Sequence, residues 1–353
     1  MTLPEPSLDH VVRLTDDVGI AEHALGSVPR RSHGYCTDDN GRALAAVTRD
    51  RHDPRSSALA QTYLAFLVHA HVGEGIFHLR LSYDRTWTDD SPSDDASGRA
   101  IFGLGVAIAR GPESLRWTAR ELFGSASSFR SPHPRATAHA AIGAAELLSA
   151  YPDDDAALAI LRDAAESLPR PGSDPRWPWP ENRLSYANAL VPEALIATGA
   201  ALGSDAVMSD GLRLLTWLVE EETREGRFSF SPTSGRGPGD TRPAFDQQPI
   251  EAASFVEACA RAFDLTHDPS WLSPIERAVA WFLGDNDAGT PLIDPLTAGC
   301  ADGLEPSGVN RNQGAESTLM SVIALQHAER LLGSGDPTTA GRQRRAAASA
   351  ANT

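Results

Sequence analysis

The chain contains no lysine: all 31 of its basic residues are arginine. That absence removes a Walker A phosphate loop, a Schiff-base lysine, pyridoxal phosphate attachment and a kinase-type phosphate lysine from the chemistries open to it. Cysteine is scarce as well. Cys36, Cys259 and Cys300 are too few and too scattered for a disulfide framework, which points to a reducing compartment. No apolar run approaches the roughly 18 residues that span a bilayer, and the opening residues lack a basic region followed by an apolar core. The expectation is a cytoplasmic protein with no membrane partner. Positive charge is in deficit too: 47 acids against 31 arginines leave a net charge of −16, which disfavours nucleic acid because each phosphate contact needs a local cation. Neutral ligands fit better.

What is present is globular: 353 residues, 41% hydrophobic, with 29 Gly and 25 Pro. Apolar residues at three-to-four spacing predict helices near 41–51, 55–72, 97–110, 113–124, 134–151, 154–168, 184–203, 206–223, 249–267, 271–284 and 314–333. Strand-like alternation is confined to 75–81 and 226–230, both between helices. The helices group into pairs with short internal connections and long ones between pairs. The last helix, paired with a short N-terminal segment around 14–25, closes a ring of six. This predicts an all-α fold, an (α/α)6 toroid of helical hairpins with its long loops on one face, as a single domain over 1–333. The tail 334–353, with Arg342, Arg344 and Arg345 and an Ala/Ser-rich end, has no apolar face and is expected to be disordered.

The long loops carry acids and amides just ahead of the next helix. The densest is His33-Gly34-Tyr35-Cys36-Thr37-Asp38-Asp39-Asn40, and Asp94-Asp95 followed by Arg99 repeats the idea. Helix capping explains part of this, with Asp39 or Asn40 the expected cap, at about 1 kcal/mol. Two adjacent acids with His33, Tyr35 and Arg42 exceed that need. Apposed acid pairs would raise one another's pKa, which a general acid requires and a helix N-terminus alone opposes. Trp177 and Trp179 offer flat faces for sugar rings, with Glu181, Asn182, Tyr186 and Asn188 following as hydroxyl partners. Asp246, Gln247, Gln248 and Glu251, then Asn312, Gln313 and Glu316, have the same texture. The loops should therefore converge on one mouth. A zinc site from His33 and the cysteines finds little support, since Cys259 lies in an apolar helix. The expectation is no metal and no cofactor.

The pattern from His33 to Leu44, preceded by Arg13-Leu14-Thr15-Asp16-Asp17 and Gly19-Ile20, resembles a bacterial family of α/α-toroid, six-hairpin glycosidase-like proteins. Members are often encoded beside, or fused to, sugar-nucleotide glycosyltransferases. In that family the stretch around Asp94 more often reads Ser-Glu-Asp-x-His-Gly-Arg, so Asp94 and Ser97 are departures. The resemblance implies carbohydrate chemistry, and possible partnership with a glycosyltransferase.

These readings converge on a carbohydrate-active enzyme, a glycoside hydrolase acting on a neutral oligosaccharide through two carboxylates drawn from Asp38, Asp39, Asp95, Asp246 and Glu316. Three alternatives stand beside it: a phosphorylase holding phosphate on Arg42 or Arg99, a sugar epimerase with facing histidines, and a non-catalytic glycan-binding partner of a glycosyltransferase. His133 and His139 lie near one another, and most of the histidines read as satisfied core or surface residues.

Overall fold

The computed structural model describes residues 3–50 and 52–333; the tail expected to be disordered lies outside them. Six helices form an inner ring: α2 (Thr37–Arg49), α4 (Asp94–Arg110), α6 (Pro134–Ala150), α8 (Leu190–Leu202), α10 (Pro249–Thr266) and α12 (Ala315–Leu332). Each packs on the next, and α12 packs back on α2, so the ring closes. The outer layer is α3 (Ser56–Ala70), α5 (Glu113–Ser125), α7 (Asp155–Ser167), α9 (Asp205–Glu221), α11 (Leu272–Phe282) and α1 (Asp9–Leu14), each against its inner partner. The fold is an (α/α)6 toroid.

The two layers differ in sequence for a physical reason. In α7 only Ala157, Ile160, Leu161 and Ala164 are buried, the stripe expected of a helix wet on one side. In α4 every residue from Ala96 to Ile108 is buried, because both neighbours and the outer helix cover it. Glycine sets the inner spacing: a Cβ on Gly41 would stand 2.7 Å from the Arg99 carbonyl, and one on Gly143 would stand 2.6 Å from that of Ile101. Backbones this close exclude any side chain.

Short links (111–112, 151–154, 203–204) fall at one end and long ones (15–36, 71–93, 126–133, 168–189, 222–248, 283–314) at the other. The inner helices therefore run parallel, with all six N-termini at the long-loop mouth. Three boundaries differ from expectation. The N-terminal partner of α12 is α1 at Asp9–Leu14, while 15–36 crosses the mouth with a small hairpin, Ala24–Leu25 on Val28–Pro29. Helix α2 starts at Thr37, which puts Asp38 and Asp39 in its first turn rather than in a loop. Helix α8 starts only at Leu190, because Leu184 exchanges backbone bonds with Arg236 (2.7 and 2.9 Å) and Glu251 takes the N–H groups of Ala187 and Asn188.

Candidate active site

At the start of α2 neither Asp nor Asn caps the helix. The N-cap is Cys36, with no side-chain bond. Asn40 instead accepts from Ile20 N (3.2 Å) and donates to the Cys36 carbonyl (2.8 Å), tying the crossing loop to the helix. Asp39 is buried against Arg42 (2.8 Å), whose other arm reaches Glu316 on α12 at 2.5 Å. Burial alone would lower the Arg42 pKa, but Glu316, Asp39 and Asp38 more than offset it and hold the guanidinium charged.

Asp38 faces the other way. It is partly open to the mouth, with its side chain 20% exposed, and Oδ2 lies 3.7 Å from Arg99 Nε. Its Oδ1 is buried with no partner among the described residues. Burial pushes its pKa up to about 6; Arg42 opposes this, while Asp95, Glu316 and Glu22 reinforce it. The four carboxylates Asp38, Asp95, Glu316 and Glu22 thus share one low-dielectric site, in which like charges favour a proton on one of them.

The next two inner helices complete the wall. Ser93 caps α4, accepting from Ala96 N at 3.3 Å. Asp94 takes a bond from Ser131 (2.6 Å), and Asp95 takes one from the Tyr186 hydroxyl (2.5 Å). Arg99 is 3% exposed, yet its Nε and Nη1 make no hydrogen bond among the described residues, a buried cation with unused donors. Arg135 on α6 donates to Glu181 (2.6 Å) and to the Tyr186 carbonyl (3.1 Å), and its guanidinium lies over the Tyr186 ring.

Two groups here, Glu22 and Arg80, escaped the sequence reading, and a third, His139, differs from its expected role. Glu22 sits on the crossing loop, gripped by Arg80 Nη2 at 2.6 Å. Nothing periodic marks either residue. His139, one turn below Arg135, is 9% exposed with both ring nitrogens unpartnered, so it is not a satisfied core histidine. Burial, then the Arg42 charge, push its pKa down to about 3, leaving a neutral imidazole beside Phe102. A histidine flanked by Ala138 and Ala140, four residues from Arg135, was its only signal.

Several expected ligand-facing residues serve the scaffold instead. Tyr35 is buried and donates to Asp16 at 2.6 Å. Trp179 is buried and stacks on Trp217, leaving no face for a sugar. Trp177 meets the same Trp217 edge-on and donates to the Glu181 carbonyl (3.0 Å), anchoring its loop. Glu251 and Asn188 bond to each other (3.0 Å) and shape the entry to α8. Gln247 is buried between Asp287 and Trp281 (2.8 and 3.1 Å). Gln313 joins Thr297 to Asp294, and Asn312 holds Ala24 N and His23. Gln248 is the N-cap residue of α10 without a side-chain cap bond. Asp246 and Asn182 are exposed, as is His33, whose ring meets that of His23 edge-on. All three cysteines are buried and free, and among the described residues no group of three or more His, Cys, Asp or Glu converges for a metal.

No family model and no curated protein sequence matches the chain. Solved structures do. The chain is similar to cellobiose 2-epimerase from Bacillus thermoamylovorans B4167, with TM-score 0.66 and 13% identity over 92% of this chain and 96% of that one. It is similar to the cellulase Cel9M of C. cellulolyticum in complex with cellobiose, with TM-score 0.62 and 12% identity over 89% of this chain and 88% of that one. It is also similar to a GH76 alpha-mannanase of Bacteroides thetaiotaomicron, with TM-score 0.60 and 13% identity over 92% and 95%. At these identities the likeness is one of fold, a toroid shared by a sugar epimerase and glycosidases.

Proposed function

We propose that the protein is a carbohydrate-active enzyme that hydrolyses a glycosidic bond in a neutral oligosaccharide, with Asp38 as general acid and Glu316 as general base. The observation that carries this reading is Asp38: a carboxyl at the mouth with an unpartnered oxygen and a pKa raised to about 6 by burial and neighbouring acids. Such a group gives its proton to the departing glycosidic oxygen as the bond to the anomeric carbon breaks. Glu316 lies 37% exposed against Arg42, within reach of water. It takes one proton from the water whose oxygen bonds to that carbon. Asp95 and the Arg99 donors suit sugar hydroxyls.

A second reading, epimerisation, is favoured by His139 alone, a neutral imidazole on the inner wall with both nitrogens free. It requires a base that removes a proton beside a sugar carbonyl. Incubation with a panel of β- and α-linked gluco- and manno-oligosaccharides, read by chromatography, separates the two. Release of shorter sugars by the native chain and a loss of about 10³-fold in Asp38→Asn support hydrolysis. Conversion without chain shortening, lost in His139→Asn and kept in Asp38→Asn, replaces it with epimerisation.

A further inference from the structure

The inner helices gather their C-termini at the end opposite Asp38, and there a cavity of about 780 Å³ opens. Its size lies in the range of small-molecule sites. Each inner helix lends it a side chain: Arg49, Arg110, Glu146, Glu193, Arg261 and His327. Arg110 and Arg261 both donate to Glu146, at 2.8 and 3.0 Å. Arg261 Nε also donates to Glu193 at 3.0 Å, so one cation serves two carboxylates. Glu193 is left short. Burial pushes its pKa up to about 7, with Arg261 opposing and Glu257 adding to the rise.

The unused capacity here is mostly for accepting bonds. Every guanidinium of the described residues at the cavity has a carboxylate, including Arg49 on Glu257 (2.7 Å) and Arg330 on Asp264 (2.8 Å). The second oxygens of Glu193 and Glu257 receive no hydrogen bond among the described residues, and Gln326 Oε1 is buried without a partner. Among the described residues, six carboxylates and four guanidiniums line the cavity. Helix C-termini add negative potential. Among the described residues the acids are not grouped to hold a metal ion. A compact ammonium, with three donors and one positive charge, supplies what is missing.

We propose that this cavity binds a small organic ligand bearing a primary ammonium group, held by Glu193, Glu257 and Gln326, at a site separate from the mouth. Calorimetric titration of the full chain with 1,4-diaminobutane, and with 1,4-butanediol as the neutral counterpart, tests this at a salt concentration that screens surface charge. The expected result is saturable one-to-one binding of the diamine and none of the diol. Glu193→Gln and Glu257→Gln, each checked for a cooperative melt, should each weaken binding about tenfold, and Asp38→Asn should leave it unchanged. Absence of saturable diamine binding, equal binding of the diol, or binding lost in Asp38→Asn but kept in both base variants overturns the proposal. Either Gln variant alone suffices if the other does not fold.

Discussion

The two ends of the ring bury carboxylates with opposite outcomes. At the mouth Asp38 is raised to about 6, while at the base Glu146 is held well below the ordinary range, although burial raises both. The difference lies in the guanidiniums. Glu146 has Arg261, Arg49 and Arg110 about it, whereas Asp38 has Arg42, already bonded to Asp39 and Glu316, and Arg99 at 3.7 Å without a hydrogen bond. Glu193, which shares Arg261 with Glu146 and has Glu257 beside it, is raised as well, to about 7. Depth therefore does not decide which acid holds a proton; the ratio of cations to anions around it does.

Breaking that ratio at the base should have the largest effect on folding. Glu146→Ala leaves Arg110, 42% exposed, to water and the buried Arg261 with Glu193 alone, and should cost about 3 kcal/mol, the lower end for a broken buried pair. Urea denaturation measures it. A loss under about 1 kcal/mol would mean that water penetrates the base enough to solvate the arginines.

The converse change at the mouth should stabilise. The Asp38 pKa is raised above its unfolded value of 3.8, so between pH 3.8 and about 6 the folded state binds a proton that the unfolded state does not. Stability is therefore lost as pH rises through that window, and the cost is fully present above it. Asp38→Asn removes the cost and should gain on the order of 2 kcal/mol at pH 7.5 and close to nothing at pH 4. A gain equal at both pH values would show that the carboxyl is not strained by ionisation. In the native chain the same titration should make hydrolysis fall as pH rises above about 6, because the general acid is lost.

The contrast also explains what could be read from sequence. The three-to-four spacing and the alternation of short and long links gave the ring, because both are local properties of the chain. Asp38, Asp95 and Glu316 were legible as acids next to helix starts. Their roles were not, since a partner such as Arg42 bridges α2 to Glu316, 274 positions away. Trp179 and Tyr35 looked like ligand-facing aromatics because sequence cannot separate a plug from a platform. Glu22 and His139 carried no motif, and only the crossing loop and the packing of α6 gave them meaning.

The smallest test concerns the helix starts themselves. Helix α4 is capped by Ser93, whereas α2 has Cys36 at the same position, with no side-chain bond and with two acids in its first turn. If the acids of α2 were placed to complement the helix dipole, their removal and the removal of a true cap would cost alike. Ser93→Ala should lose about 1 kcal/mol in denaturation, with the melting temperature falling by a few degrees. Asp38→Asn should instead gain stability at the same pH. Losses of equal size in the two variants would make Asp38 a support of the helix start, and the open carboxyl at the mouth would lose its claim to chemistry.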